Sequence, residues 1–94
     1  MRNYTKNEVF KRIPLNYFPS SLAVSPNETY IAIGTKEGLI LFITKIDHSV
    51  NSGFNLDIFP GHCDYVKSLA FNHECQKLIS SSYSEIIVWK IKMN

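Results

Sequence analysis

His62, Cys63, His73 and Cys75 are residues of the kind that holds zinc. Zinc takes such ligands tetrahedrally, and structural sites draw them mostly from close pairs of the CxxC type. The spacing here offers no such pair. The segment between the two groups, Tyr65 to Phe71 (YVKSLAF), reads as a strand. At ~3.3 Å per residue it holds the groups roughly 20 Å apart. A Cys63–Cys75 disulfide, which needs Cα atoms within ~7 Å, is equally remote. The expectation is two free thiols and no metal site.

Other reactive residue types give no stronger signal. Ser80-Ser81-Ser82 could offer a nucleophile or a phosphosite, but small hydroxyl residues are also what a close-packed strand carries. The chain has no Gly-x-Ser-x-Gly elbow, no phosphate-cradling glycine loop and no Cys–His signature. Asp47, Asp57, Asp64, Glu74 and Glu85 are scattered over turns and strand faces, with no two marked as an acid–base pair. The expectation is a non-enzyme, with no catalytic residue and no cofactor.

The elements that carry these residues are strands. Apolar residues recur with period two and are rich in β-branched and aromatic types, while no i, i+3, i+4, i+7 pattern lasts three turns. Strands are predicted at about 20–25, 30–35, 39–45 and 54–58, then at 65–71, 77–82 and 86–91. Ser25-Pro26-Asn27-Glu28 and Lys36-Glu37-Gly38 make turns, with Gly38 able to supply a positive φ. Asp47 to Gly53 is a polar loop. Glu8 to Ile13 (EVFKRI) reads as a further strand ahead of the rest.

These strands repeat. Residues 21–44 align without a gap on residues 68–91, at an offset of 47. Ser-Leu-Ala occurs at 21–23 and again at 68–70, and Leu39-Ile40-Leu41-Phe42 answers Ile86-Ile87-Val88-Trp89. A period of this length marks an array in which each unit buries its apolar face against a neighbour. The predicted core is Leu22, Val24, Ile31, Ile33, Leu41 and Phe42 in the first unit, and Leu69, Phe71, Leu78 and Val88 in the second.

The second unit carries a recognisable pattern. Gly61-His62 precedes an apolar strand, a turn, the serine-rich strand Lys77 to Ser82, and Ile86-Ile87-Val88-Trp89. This resembles a WD-repeat, one blade of a β-propeller. The resemblance is strongest over 61–90. It implies an all-β fold of two four-stranded antiparallel blades, incomplete as a single chain. The units are a segment 1–19 with an outer strand, a diverged repeat 20–60, and a clearer repeat 61–94 lacking its outer strand. In the family a His, a Ser/Thr, an Asp and the Trp form a buried hydrogen-bond network. By resemblance His62, Ser82 and Trp89 take three of those places. The Asp place falls at Ser84 or Glu85, where the turn is one residue short, and Lys90 replaces the terminal Asp. In the first unit Pro14-Leu15 stands for Gly-His and Phe42 for the tryptophan, with Thr35 at the Ser/Thr place.

The resemblance implies a non-catalytic protein–protein interaction scaffold: a two-blade portion of a propeller within a larger complex. Its partners would be other blades or further subunits. The alternative is a sugar-binding ring of identical two-blade chains, for which no repeated aromatic–Arg–Glu set is present. A formal charge of +2 gives no reason to expect nucleic acid, and no apolar run approaches a membrane span. The N-terminal sequence MRNYTKNEVFKRIP has no apolar h-region. An intracellular, cytoplasmic place is therefore expected, compatible with a cytoskeletal, ciliary or nuclear assembly. Tyr4, Tyr17, Tyr65 and Tyr83 have no assigned role, and tyrosine is enriched at interfaces.

Overall fold

The computed structural model describes residues 12–45 and 54–91. They form seven strands and, among the described residues, no helix: β1 (Pro19–Val24), β2 (Tyr30–Thr35), β3 (Leu39–Lys45), β4 (Phe54–Pro60), β5 (Ser68–Phe71), β6 (Lys77–Ser81) and β7 (Ile86–Lys90). They make two antiparallel sheets, ordered β1-β2-β3-β4 and β5-β6-β7. Consecutive strands pair throughout, as tight turns between antiparallel neighbours allow.

The predicted strands fall close to these seven, except at two places. The early strand at Glu8 to Ile13 lies mostly outside the described residues, and Arg12 and Ile13 themselves are irregular. Tyr65 to Lys67 is not part of β5. That segment crosses between the sheets instead. The Val66 amide donates to Thr35 O at 3.0 Å, and the Ser20 and Ser21 hydroxyls donate to Val66 O at 2.7 and 3.2 Å. The His62 amide donates to Gly38 O at 3.1 Å, a further backbone bond from the first sheet to the second segment.

The repeat is visible in backbone conformation. Glu28 and Cys75, 47 residues apart, are the two non-glycine residues with positive φ (62° and 60°) among the described residues. Each closes the turn between the first two strands of its sheet. Glu28 N donates to Ser25 O at 2.8 Å, and Cys75 N donates to Asn72 O at 3.0 Å. The side chains of Ser25 and Asn72 then accept from Tyr30 N and Lys77 N. Two different side chains close the same turn, because either oxygen can stand in for a backbone acceptor.

Between the sheets lies an aromatic core. Tyr30, Phe42, Phe59 and Trp89 follow one another with ring centroids 5.1, 5.5 and 5.2 Å apart, and Phe71 flanks Tyr30 and Phe42. Ala32, Ile40, Val66 and Leu78 complete it, with Leu69 packed alongside. A second cluster lies on the other face of the first sheet, where Ile33, Leu41 and Ile43 meet Ile13, Leu15, Tyr17 and Ile31. Strand β3 is buried on both faces, which explains why Leu39 to Ile43 reads as a continuous apolar run.

Three predicted core residues are corrected. Leu22 is 64% exposed, Val24 53% and Val88 59%. The reason is the sidedness of the two sheets. In an antiparallel pair, directly opposed residues share a face. Leu22 and Val24 oppose Ile33 and Ile31, so they lie on the outer face of the first sheet. Val88 opposes Ile79 on the outer face of the second. Period-two patterning identifies the apolar face of a strand but not which faces meet a neighbour.

Candidate functional site

One end of both sheets gathers the residues that the sequence singled out. Strands β2 and β6 end there, β3 and β7 begin there, and β4 delivers Gly61 and His62 to it. His62 is buried, and its Nε2 lies 2.8 Å from Ser80 Oγ. The Trp89 indole Nε1–H donates to the same oxygen at 2.9 Å. An indole N–H can only donate. We therefore assign the serine O–H as the donor to His62 Nε2, which leaves the imidazole proton on Nδ1. His62 Nδ1 faces Glu85 Oε2 at 3.4 Å. The geometry falls short of a hydrogen bond, and Nδ1 has no other partner.

His62 and Trp89 are thus brought together, and the hydroxyl between them belongs to Ser80, not Ser82. Ser80 shares the inward face of β6 with Leu78, which pairs with Trp89. Ser82 lies past the end of β6, where its backbone N bonds Glu85 O at 2.9 Å and its Oγ accepts from Ser84 N. Ser82 matches Thr35 at the offset of 47, and Thr35 Oγ1 likewise accepts from a turn amide, Leu39 N. Both are turn-closing hydroxyls.

The same register explains the first unit. Gly34 pairs with Ile40 around five residues, 35–39, whereas Ser81 pairs with Ile86 around four, 82–85. The second hairpin is one residue shorter, so beyond it the two units align at an offset of 46. Ile43, opposite Ile31, therefore stands where Trp89 stands opposite Leu78. Phe42 is on the other face, in the aromatic core. Leu15, Ile33 and Ile43 pack together where the second unit has His62, Ser80 and Trp89. The first blade has an apolar cluster in place of the polar network.

Glycine at 61 has a packing reason. A Cβ there would lie 2.5 Å from the Trp89 ring. At Gly38, φ is +95° and a Cβ would meet His62 O at 2.2 Å. Cys63 is exposed, Cys75 is buried, and both are free thiols. Among the described residues no three His, Cys, Asp or Glu side chains cluster closely enough to hold a metal ion, and no helix is long and apolar enough to cross a membrane.

Sheets of four and three antiparallel strands in sequential order, joined by a short crossing segment over an apolar interface, are the construction of β-propeller blades. The family model "WD domain, G-beta repeat" matches residues 53–90. That segment starts at the outer strand β4 of the first sheet and runs through β7, so the repeat straddles the two sheets. WD repeat-containing protein 90 of Xenopus tropicalis is 31% identical over 87 residues, covering 93% of this chain and 4% of that protein. WD repeat-containing protein 90 of Homo sapiens is 27% identical over 89 residues, covering 95% and 5%. The chain belongs to the WD-repeat family. It spans only a small part of the length of the curated relatives it matches. WD40 repeats serve as protein–protein interaction scaffolds and are in general not catalytic.

Proposed function

We propose that this chain is a two-blade portion of a propeller acting as a non-catalytic scaffold inside a larger complex. The observation that carries this reading is a pair of apolar faces on opposite sides of the unit. Leu22, Val24, Leu56 and Ile58 lie open on the outer face of the first sheet, and Ile79, Ile86 and Val88 on that of the second. Contiguous exposed apolar faces of this kind mark surfaces that meet another protein surface. Further blades on either side would cover both. The polar network fits the scaffold role: it ties His62 to strands β6 and β7 through Ser80 and Trp89, with the histidine buried.

Native mass measurement of the purified chain tests this reading against a ring of identical chains. The expected outcome is a monomer or an ill-defined association that a neighbouring polypeptide converts into one discrete complex. A clean trimer or tetramer would overturn the portion-of-a-propeller reading in favour of the ring.

A further inference from the structure

The first sheet holds the crossing segment of the second at one residue, Val66. Thr35 O accepts from the Val66 amide at 3.0 Å, and the Ser20 and Ser21 hydroxyls donate to Val66 O at 2.7 and 3.2 Å. Ser21 and Gly34 stand opposite one another in β1 and β2. The Val66 side chain is fully buried over them, and a Cβ added at Gly34 would lie 2.5 Å from it. One extended residue is thus held by both of its backbone groups, above a gap that glycine leaves open.

The second sheet carries the same arrangement on its outer face. At the offset of 47, Ser68 answers Ser21, Ser81 answers Gly34 and Ser82 answers Thr35. Ser68 stands opposite Ser81 in β5 and β6, on the face that holds Ile79 and Val88. The two hydroxyls bond each other at 2.7 Å in an exposed position. A hydroxyl carries one hydrogen, so one donates to the other and the second hydrogen is left for a further acceptor. Among the described residues no amide donates to Ser82 O. This seat keeps a donor and an acceptor for a backbone, but it is shallower, because the Ser81 side chain fills the place of the glycine gap.

We propose that Ser68, Ser81 and the carbonyl of Ser82 seat the backbone of one extended residue from a neighbouring sheet, and that this residue is smaller than valine and carries an N–H. A valine in the pose of Val66 would collide with the Ser81 Cβ, as it would with a Cβ at Gly34. A second copy of this chain does not fit the seat. Its counterpart of Val66 at the offset of 47 is Pro19, the exposed first residue of β1. Proline has no amide hydrogen, so a copy docked head-to-tail would bury Ser82 O without a donor and press its ring on Ser81. The occupant is therefore a polypeptide of different sequence. The proposal rests on the portion-of-a-propeller reading and narrows it to the kind of residue the neighbour presents.

Pro19→Gly gives the chain what a second copy lacks, an amide hydrogen and no side chain. Sedimentation velocity of the full chain over a concentration series reads the result, and Trp89 emission reports folding. The expected result is self-association about tenfold or more tighter than wild type, with the gain lost in Pro19→Gly/Ser68→Ala. Pro19→Ala should shift association in the same direction, and it supplies the test if the glycine variant does not fold. Folded Pro19 variants that associate no better, or a gain that Ser68→Ala leaves in place, would overturn the seat and leave the portion-of-a-propeller reading standing. A wild-type dimer that Ser68→Ala disperses would also overturn it, since the occupant would then be a second copy. An unfolded wild-type chain, or a clean trimer or tetramer of it, would overturn that reading and the seat together.

Discussion

Ser80 is the residue on which the polar network turns. Its single oxygen accepts from Trp89 and meets His62. Removing it leaves the buried His62 Nε2 and the half-buried Trp89 Nε1 without a partner, each costing up to about 1–3 kcal/mol. Ser80→Ala should therefore lower stability by roughly 2–4 kcal/mol, while Ser82→Ala should change it by less than about 0.5 kcal/mol, as surface substitutions do. Urea unfolding followed by Trp89 fluorescence checks both. Equal losses would place the network at Ser82 after all. Gly61→Ala is the matching steric case. A methyl group 2.5 Å from the indole must displace it from Phe59 and Ser80. An overpacking cost of about 1–3 kcal/mol is expected, together with a shift in Trp89 emission.

At the level of elements, the turn at Glu28 and Cys75 is the most informative. Both residues hold positive φ without being glycine. A left-handed conformation costs an ordinary residue about 1–2 kcal/mol. Glu28 is exposed and its side chain has no described partner, so Glu28→Gly should stabilise the first sheet by up to about 1 kcal/mol, while Glu28→Val should weaken it. Thermal unfolding of the two variants separates these signs. In the second hairpin, the missing residue, already legible as a short turn in the sequence, moves the position answering Trp89 from Phe42 to Ile43 once the strands are paired. Phe42 consequently serves the contact between sheets. With Tyr30, Phe59 and Phe71 around it, Phe42→Ala should cost about 3–5 kcal/mol.

For the whole molecule, the outer faces of the two sheets are the decisive surfaces. Ile86 and Val88 lie open on the second sheet, where Lys77 stands directly opposite Lys90. Substituting both with threonine should leave the stability of the isolated chain within about 0.5 kcal/mol and reduce its tendency to associate. The proposed covering of this face by neighbouring blades predicts that the same change releases the chain from them. Co-purification of wild-type and variant chains measures this. An unchanged complex would mean that the face is not an interface.

The sequence alone determined the strand content, the repeat and its best-preserved unit. Each follows from local physics: β-branched period-two patterning, turn residues such as Pro26 and Gly38, and the Gly61-His62 and Trp89 landmarks. Strands β2 and β3 fall where the alternation and the turns put them. Only the tertiary structure decided which faces meet. Leu22, Val24 and Val88 have the same apolar patterning as Leu78, but they lie outward because burial depends on the partner surface and not on the strand. It also decided that Ser80 and not Ser82 joins His62 to Trp89, since the pairing of Leu78 with Trp89 puts Ser80 on the inward face of β6 while Ser82 lies past the strand in the turn. The packing of Phe59 on Trp89 and the hydrogen bond from Ser21 to Val66 arise from residues far apart in the chain, and no local pattern could have brought them together.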